Sequence, residues 1–223
     1  MSKQTGAGND VKATYFRNVL ERFSAHKLAV AGLIILFTEI ILVLILPPLL
    51  NLDPYTSDPI AFGAAPSAEH VLGTDDVVYG GRVSLMVGLL STLISLCLGV
   101  PLGLIAGFYR KLPEIIIMRI ADIFMSFPAM ILVLVLVAVV GPSVWSVTLV
   151  IGVMGWPQFA RLIYGNVLSV REKEYVESAR AIGTKNLDII VKYVLPNSFT
   201  PVLIAITFRT AQAIIMESSL SFL

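Results

Sequence analysis

Charge is scarce in this chain. Of its 223 residues, 14% are Asp, Glu, Lys or Arg, whereas 57% are hydrophobic. A soluble domain carries roughly a quarter charged residues. The deficit, with a mean hydropathy of +0.86, argues against a water-soluble globule and places the chain in the membrane class. Net charge is only +1, so nothing in the balance of charge points to a nucleic-acid partner. Cysteine is almost missing: Cys97 stands alone in an apolar run, forms no internal disulfide, and reads as a small buried hydrophobe. Histidine is limited to His26 and His70, with no Cys or His at ligand spacing, which gives no metal site and no cofactor. Catalytic signatures are missing too. There is no HExxH and no GxSxG, and Gly183-Thr184-Lys185 echoes only the tail of a phosphate-binding loop. The chain reads as non-catalytic.

What is present is long apolar runs. A bilayer-spanning helix needs about 20 mostly apolar residues, and five stretches qualify: 28–50, 83–108, 120–140, 144–160 and 201–223. Such runs must be helical, because lipid offers open backbone groups no partners. The expected fold is therefore an all-α polytopic membrane protein with five spans. Fourteen of the sixteen Lys and Arg residues fall in three segments: the N-terminal tail, the connection after the second span, and 161–200. Basic residues collect on the cytoplasmic side. This sets a cytoplasmic tail at 1–27, a first transmembrane helix at 28–50 and an external loop at 51–82. The main membrane domain is then 83–223, with a cytoplasmic loop at 161–200. The first span, preceded by a long polar tail, reads as a retained anchor and not a cleaved signal.

Within the spans, Gly99, Gly103 and Gly107 recur every four residues, which lines small residues along one helix face and lets a second helix approach closely. Gly152, Gly155 and Pro157 suggest that the fourth span is bent or partly unwound. Ionisable groups inside spans are costly and face protein or water. Arg119 and Asp122 are three residues apart and share a face. Arg209 and Glu217, eight apart, are too distant to meet and call for partners on other helices. Glu39 has no evident partner. These acids also leave open an ion-coupled secondary transporter or channel, a reading that calls for inverted repeats, and none is visible.

The segment 161–200 is far longer than an ordinary helix connection of about two to eight residues. Residues 174–182 read as a short amphipathic helix, with Tyr175, Val176, Ala179 and Ile182 on one face. Gly183 supplies a break. Leu187, Ile190, Val191 and Val194 mark a second short helix ended by Leu195-Pro196. Such a hairpin suits docking into a groove of another protein or lying on the bilayer surface.

Glu177-Ser178-Ala179, then Gly183, then Leu195-Pro196 resembles the EAA loop of ABC importer permeases, with matching spacing at every step; Ser178 and Tyr193 replace the pattern's Ala and Ile. More of the chain is similar to one branch, the C-type permease subunits of dipeptide, oligopeptide and nickel importers. The resembling pieces are HVLGTD from His70, YGGRVSL from Tyr79, Met118-Arg119 with Asp122 and Phe127-Pro128, and Trp156-Pro157 with Ala160-Arg161. REKEYVESARAIG from Arg171, Pro196-Asn197 and ESSLSFL from Glu217 follow. The ordered series covers residue 22 to the end. Three departures stand out. The stretch between the GTD and YG motifs is shorter than in the family. The sequence stops where the family continues into a sixth span, which raises the alternative of a truncated, inactive permease. Arg209 occupies a position usually small and apolar.

The resemblance implies a permease subunit of an ATP-driven importer of peptides or related small solutes, in a bacterial or archaeal plasma membrane. It implies a B-type permease partner, two ATP-binding subunits and an extracytoplasmic solute-binding protein, with ATP hydrolysed by the partners. It also implies that Tyr175, Glu177, Ser178, Ala179, Gly183, Leu195 and Pro196 form the loop that couples to the ATPase. In that role Glu177 would anchor by charge, Ala179 would permit close approach and Gly183 would make the turn.

Overall fold

The computed structural model describes residues 77–222 and scattered positions between 27 and 45. The chain divides into two compact units, Met1–Arg82 and Val83–Leu223. In the first, the described positions from Lys27 to Ile45 are helical. There Thr38 Oγ1 donates to the Ile34 carbonyl at 2.8 Å, a bond within one helical turn. Glu39, the tail before Lys27, most of the expected external loop with its His70 motif, and Leu223 lie outside the described residues.

The described remainder is helical in order: α1 (Val77–Tyr109), α2 (Lys111–Ser126), α3 (Ala129–Val140), α4 (Val144–Val170), α5 (Glu174–Ala181) and α6 (Asn186–Ile189). A five-residue π-helical turn (Ile190–Val194), α7 (Leu195–Ser198) and α8 (Thr200–Phe222) complete it. Among the described residues, α1, α4 and α8 are each long and apolar enough to cross a membrane, and α2 with α3 adds a fourth crossing if the bent pair is one span. The fold is that of an all-α polytopic membrane protein.

Four sequence expectations need correction. The run 120–140 is not one straight helix: α2 and α3 meet at 90°. The cause is Pro128, whose ring disfavours helical geometry in the residue before it; Phe127 is extended, at φ −97° and ψ 144°. The fourth span is neither unwound nor finished at residue 160. It stays helical through Pro157 and continues to Val170, so the first quarter of the expected 161–200 loop is helix. Leu195-Pro196 does not end the second short helix, which continues to Ser198. The wide turn just before it, with hydrogen bonds closing over five residues, relaxes the register that an interior proline would break. Finally, Cys97 is exposed, because it lies on the face of α1 turned away from the glycines.

That glycine face is the centre of the packing. A Cβ on Gly99 would sit 2.5 Å from the Trp156 carbonyl oxygen, and one on Gly107 would sit 2.7 Å from Val167 Cβ. Gly103 lies against the backbone of Ala160. The spacing of small residues thus does what the sequence suggested: α4 crosses α1 almost backbone to backbone. Around this crossing Val100, Leu104, Phe108, Phe159, Ile163 and Val167 form the main buried cluster. A second cluster of Val87, Val133, Val150, Ile151 and Ala213 draws α3 and α8 to the other end of α1 and α4. Phe124 of α2 stands edge-on to Trp156 of α4, with ring centroids 5.7 Å apart.

Candidate functional site

The hairpin from Arg171 to Ser198 holds all seven residues expected to form the docking loop. Helix α5 is short, and its charges suit its dipole: Glu174 and Glu177 lie in the first turn and Arg180 in the last. Val176 and Ala179 are buried against Phe108 of α1, Val167 of α4 and Ile189, Ile190 and Val194 of the hairpin's second limb. The second limb needs its wide turn for this. Ile189 and Val194 are both fully buried, although five residues advance an α-helix by about 140° beyond a full turn.

The tip is closed by two hydrogen bonds. The Gly183 N–H donates to the Arg180 carbonyl at 2.9 Å and the Thr184 N–H to the Ala179 carbonyl at 3.1 Å. This pairing is the Schellman form of a helix end, which places the residue after the cap in left-handed geometry. Gly183 has φ +80°, and a Cβ there would meet nothing within 4 Å. The need for glycine is therefore a backbone need, not a packing one.

The expected amphipathic face of α5 is split. Val176 and Ala179 turn inward, while Tyr175 is exposed and Ile182 is 82% exposed. Ala179 serves close approach, but to this chain's own core. Glu177 and Ser178 are exposed on the outer side. Leu195 packs half-buried on the core and Pro196 is exposed, a full limb away from Glu177. The outer surface thus carries Tyr175, Ile182, Leu187 and Val191, all exposed apolar side chains, beside Glu177 and a Lys192–Asp188 ion pair at 3.0 Å.

The hairpin is also fastened to α1. Arg171 Nη1 donates to the Gly107 carbonyl at 3.1 Å and to the Phe108 carbonyl at 2.9 Å. The Arg180 guanidinium stands 5.2 Å from the centre of the Phe108 ring. Burial, followed by the like charges of Arg180 and Arg110, pushes the Arg171 guanidinium below its ordinary value.

The charged groups expected inside the spans are distributed differently from their sequence order. Asp122 has Arg119 at 3.9 Å, but its closer partner is Arg161 of α4, a pairing across helices. Sequence reasoning left Arg161 in a loop; only its place in the Trp-Pro and Ala-Arg stretch marked it. Tyr164 donates to Glu114, which also faces Arg110 at 3.6 Å. Together these contacts dock α2 on α4. Arg209 and Glu217 do not meet, and each is 7% exposed. Arg209 Nη2 donates to the Ile151 carbonyl at 2.8 Å, in space left open by Gly155. Glu217 accepts from Ser84 at 2.5 Å and Ser221 at 2.9 Å. Both find partners on neighbouring helices, as their spacing required. Glu217 lines an open cavity of about 220 Å³ whose apolar wall includes Val87, Val137, Pro142 and Leu220.

Comparison with known proteins finds the same elements elsewhere. Residues 99–223 match the family described as "binding-protein-dependent transport system inner membrane component". Residues 14–66 match the "N-terminal TM domain of oligopeptide transport permease C". The chain is 39% identical over 217 residues to the dipeptide transport system permease protein DppC of Alkalihalophilus pseudofirmus, covering 93% of this chain and 71% of that one. It is 30% identical over 216 residues to the oligopeptide transport system permease protein OppC of Bacillus subtilis, with 93% and 71% covered. A chain from a solved structure of the MetNI methionine ABC transporter in inward facing conformations shares the fold, with a TM-score of 0.56 at 20% identity. That match covers 74% of this chain and 76% of the other.

Proposed function

Because this chain belongs to the binding-protein-dependent permeases of ABC importers, in the dipeptide and oligopeptide branch, we propose that it forms part of a peptide translocation path and receives the stroke of a cytoplasmic ATPase through its α5–Gly183–α6 hairpin. The hairpin carries the reading. It is a capped element whose inner face is used up in the chain's own core, and whose outer face is apolar beside Glu177. An apolar helix face with one charge is suited to a groove on a partner protein.

In this reading the partners are a B-type permease, two ATP-binding subunits that perform all the hydrolysis, and an extracytoplasmic protein that delivers the peptide. The N-terminus and the hairpin lie in the cytoplasm of a bacterial or archaeal cell, and the chain crosses its plasma membrane several times. ATP shifts the assembly only if one of its states binds ATP better than the other. The hairpin is where that preference reaches the membrane helices. Tyr175, Glu177, Ser178 and Ile182 contact the ATPase, Gly183 sets the turn, and Val176 and Ala179 hold the hairpin to the permease. Leu195 and Pro196 anchor its second limb.

A pull-down of the tagged chain from its native membranes in mild detergent tests this. Wild type is expected to bring down an ATPase subunit and a second permease. Ile182→Asp combined with Glu177→Arg is expected to lose the ATPase and keep the permease. Retention of the ATPase by that variant, or its absence from the wild type, overturns the proposal.

A further inference from the structure

The last turn of α1 is held from the hairpin side by three separate contacts. A helix end leaves its final carbonyls without partners inside the helix, and here one guanidinium nitrogen, Arg171 Nη1, serves two of them, at Gly107 and Phe108. A cation at this position also suits the negative end of the helix dipole. The second contact is Arg180 of α5, over the face of the Phe108 ring. The third is burial: the Phe108 side chain shares one cluster with Val176 and Ala179 of α5 and with Val167 of α4.

Immediately beyond this latch the backbone is strained. Arg110 and Lys111 have φ of 57° and 52°, and they are the non-glycine residues with positive φ among the described residues. Arg110 combines this with ψ −158°, outside the left-handed helical well. Such conformations persist only where the surroundings over-determine them. Here the surroundings are the Arg171 cap on one side and, on the other, Glu114, which faces Arg110 and accepts from Tyr164. The hairpin side therefore fixes the angle at which the chain leaves α1 for α2.

We propose that Arg171 is a positioning residue that makes the hairpin and the end of α1 move as one body, so that a displacement of α5 reaches the membrane helices at the Arg110-Lys111 joint. This deepens the importer reading and rests on it. Arg171 touches neither ATPase nor solute; it transmits. Its role differs from that of the outer face, whose loss should detach the ATPase. Loss of Arg171 should leave the ATPase bound and idle. The geometry favours arginine in particular, because its planar fork can direct one nitrogen between two carbonyls, whereas a lysine ammonium is a point donor on a flexible stem.

The test uses the whole importer reconstituted in vesicles, with its binding protein and a tryptic digest of casein as the peptide source. Two quantities are read: ATPase subunit recovered with the permease, and the ratio of peptide-stimulated to basal ATP hydrolysis. Arg171→Ala is expected to keep the ATPase and to lower that ratio by about tenfold, within the roughly 5- to 150-fold range usual for coupling between sites. Arg171→Lys is expected to fall between Ala and wild type, and Lys173→Ala, an exposed neighbour, to match wild type. A wild-type ratio in Arg171→Ala overturns the proposal and leaves the importer reading standing. Loss of the ATPase from both Arg171 variants makes Arg171 merely structural and overturns it as well. If Arg171→Ala does not reach the membrane, Arg171→Lys decides: a reduced ratio with the ATPase retained supports the proposal, and a wild-type ratio overturns it. If wild type recovers no ATPase, both readings fall.

Discussion

A Cβ at Gly103 would run into the Ala160 backbone, and no side-chain rotation can relieve a clash with main chain. Overpacking of this kind costs about 1–3 kcal/mol, and more where nothing yields. Gly103→Val should therefore lower the thermal unfolding midpoint in detergent and reduce recovery from membranes. Gly183 is the opposite case. There is room for a side chain, but left-handed geometry costs a β-branched residue about 1–2 kcal/mol. Gly183→Val should leave the membrane helices folded and uncouple ATP hydrolysis from peptide transport in vesicles; normal transport by that variant would count against the coupling role. Arg209 is a third kind of residue, a buried cation whose recorded acceptor is a main-chain carbonyl in α4. Burying a cation carries a desolvation cost that a single hydrogen bond to a carbonyl offsets only in part. Arg209→Met should thus shift stability by no more than about 1 kcal/mol in the unfavourable direction, read from the same unfolding midpoints; a large loss would show that the guanidinium has a further role.

At the scale of elements, the sequence was most legible where one helix alone decides the outcome. The glycine interval on α1, the start of α5 and the stop at Gly183 are local, and each could be read from spacing and backbone preference. What could not be read was set by partners. The α5 face looked like a single stripe of four apolar residues, yet only Val176 and Ala179 face the core, because the approach of α4 and of the hairpin's second limb selects which flank is covered. The Arg119–Asp122 pair was visible at its three-residue spacing; Arg161 was not, because it arrives from another helix. The break at Phe127-Pro128 had its warning in the proline but sat inside a run whose apolar composition did not change. A double-mutant cycle on Asp122 and Arg161 would measure how firmly α2 is docked. Both side chains are nearly half exposed, so a coupling of about 1 kcal/mol or less is expected. Zero coupling would assign the docking to the Phe124–Trp156 contact and to Ala121, which is fully buried.

For the whole molecule, the sidedness of the basic residues proposes a topology that a reporter can test. With 51–82 outside and the hairpin in the cytoplasm, a reporter active only in the cytoplasm should be active when inserted at the hairpin tip after Thr184 and silent when fused after Leu223. The reverse pattern would invert the orientation and remove the hairpin from reach of any cytoplasmic ATPase. The π-helical turn at Ile190–Val194 adds something different: it decouples chain length from facing direction. A widened turn is what a helix makes of one residue too many while both flanks keep their alignment. Removing one residue there, at exposed Val191 for instance, lets the turn close to ordinary α-helical pitch with Ile189 and Val194, then four residues apart, still facing the core. Removing one residue from the middle of α4 has no such outlet. Everything beyond the cut rotates by about 100°, carrying Arg161 and Tyr164 away from their partners. The hairpin's second limb accordingly takes a one-residue change in length at less cost than the middle of α4.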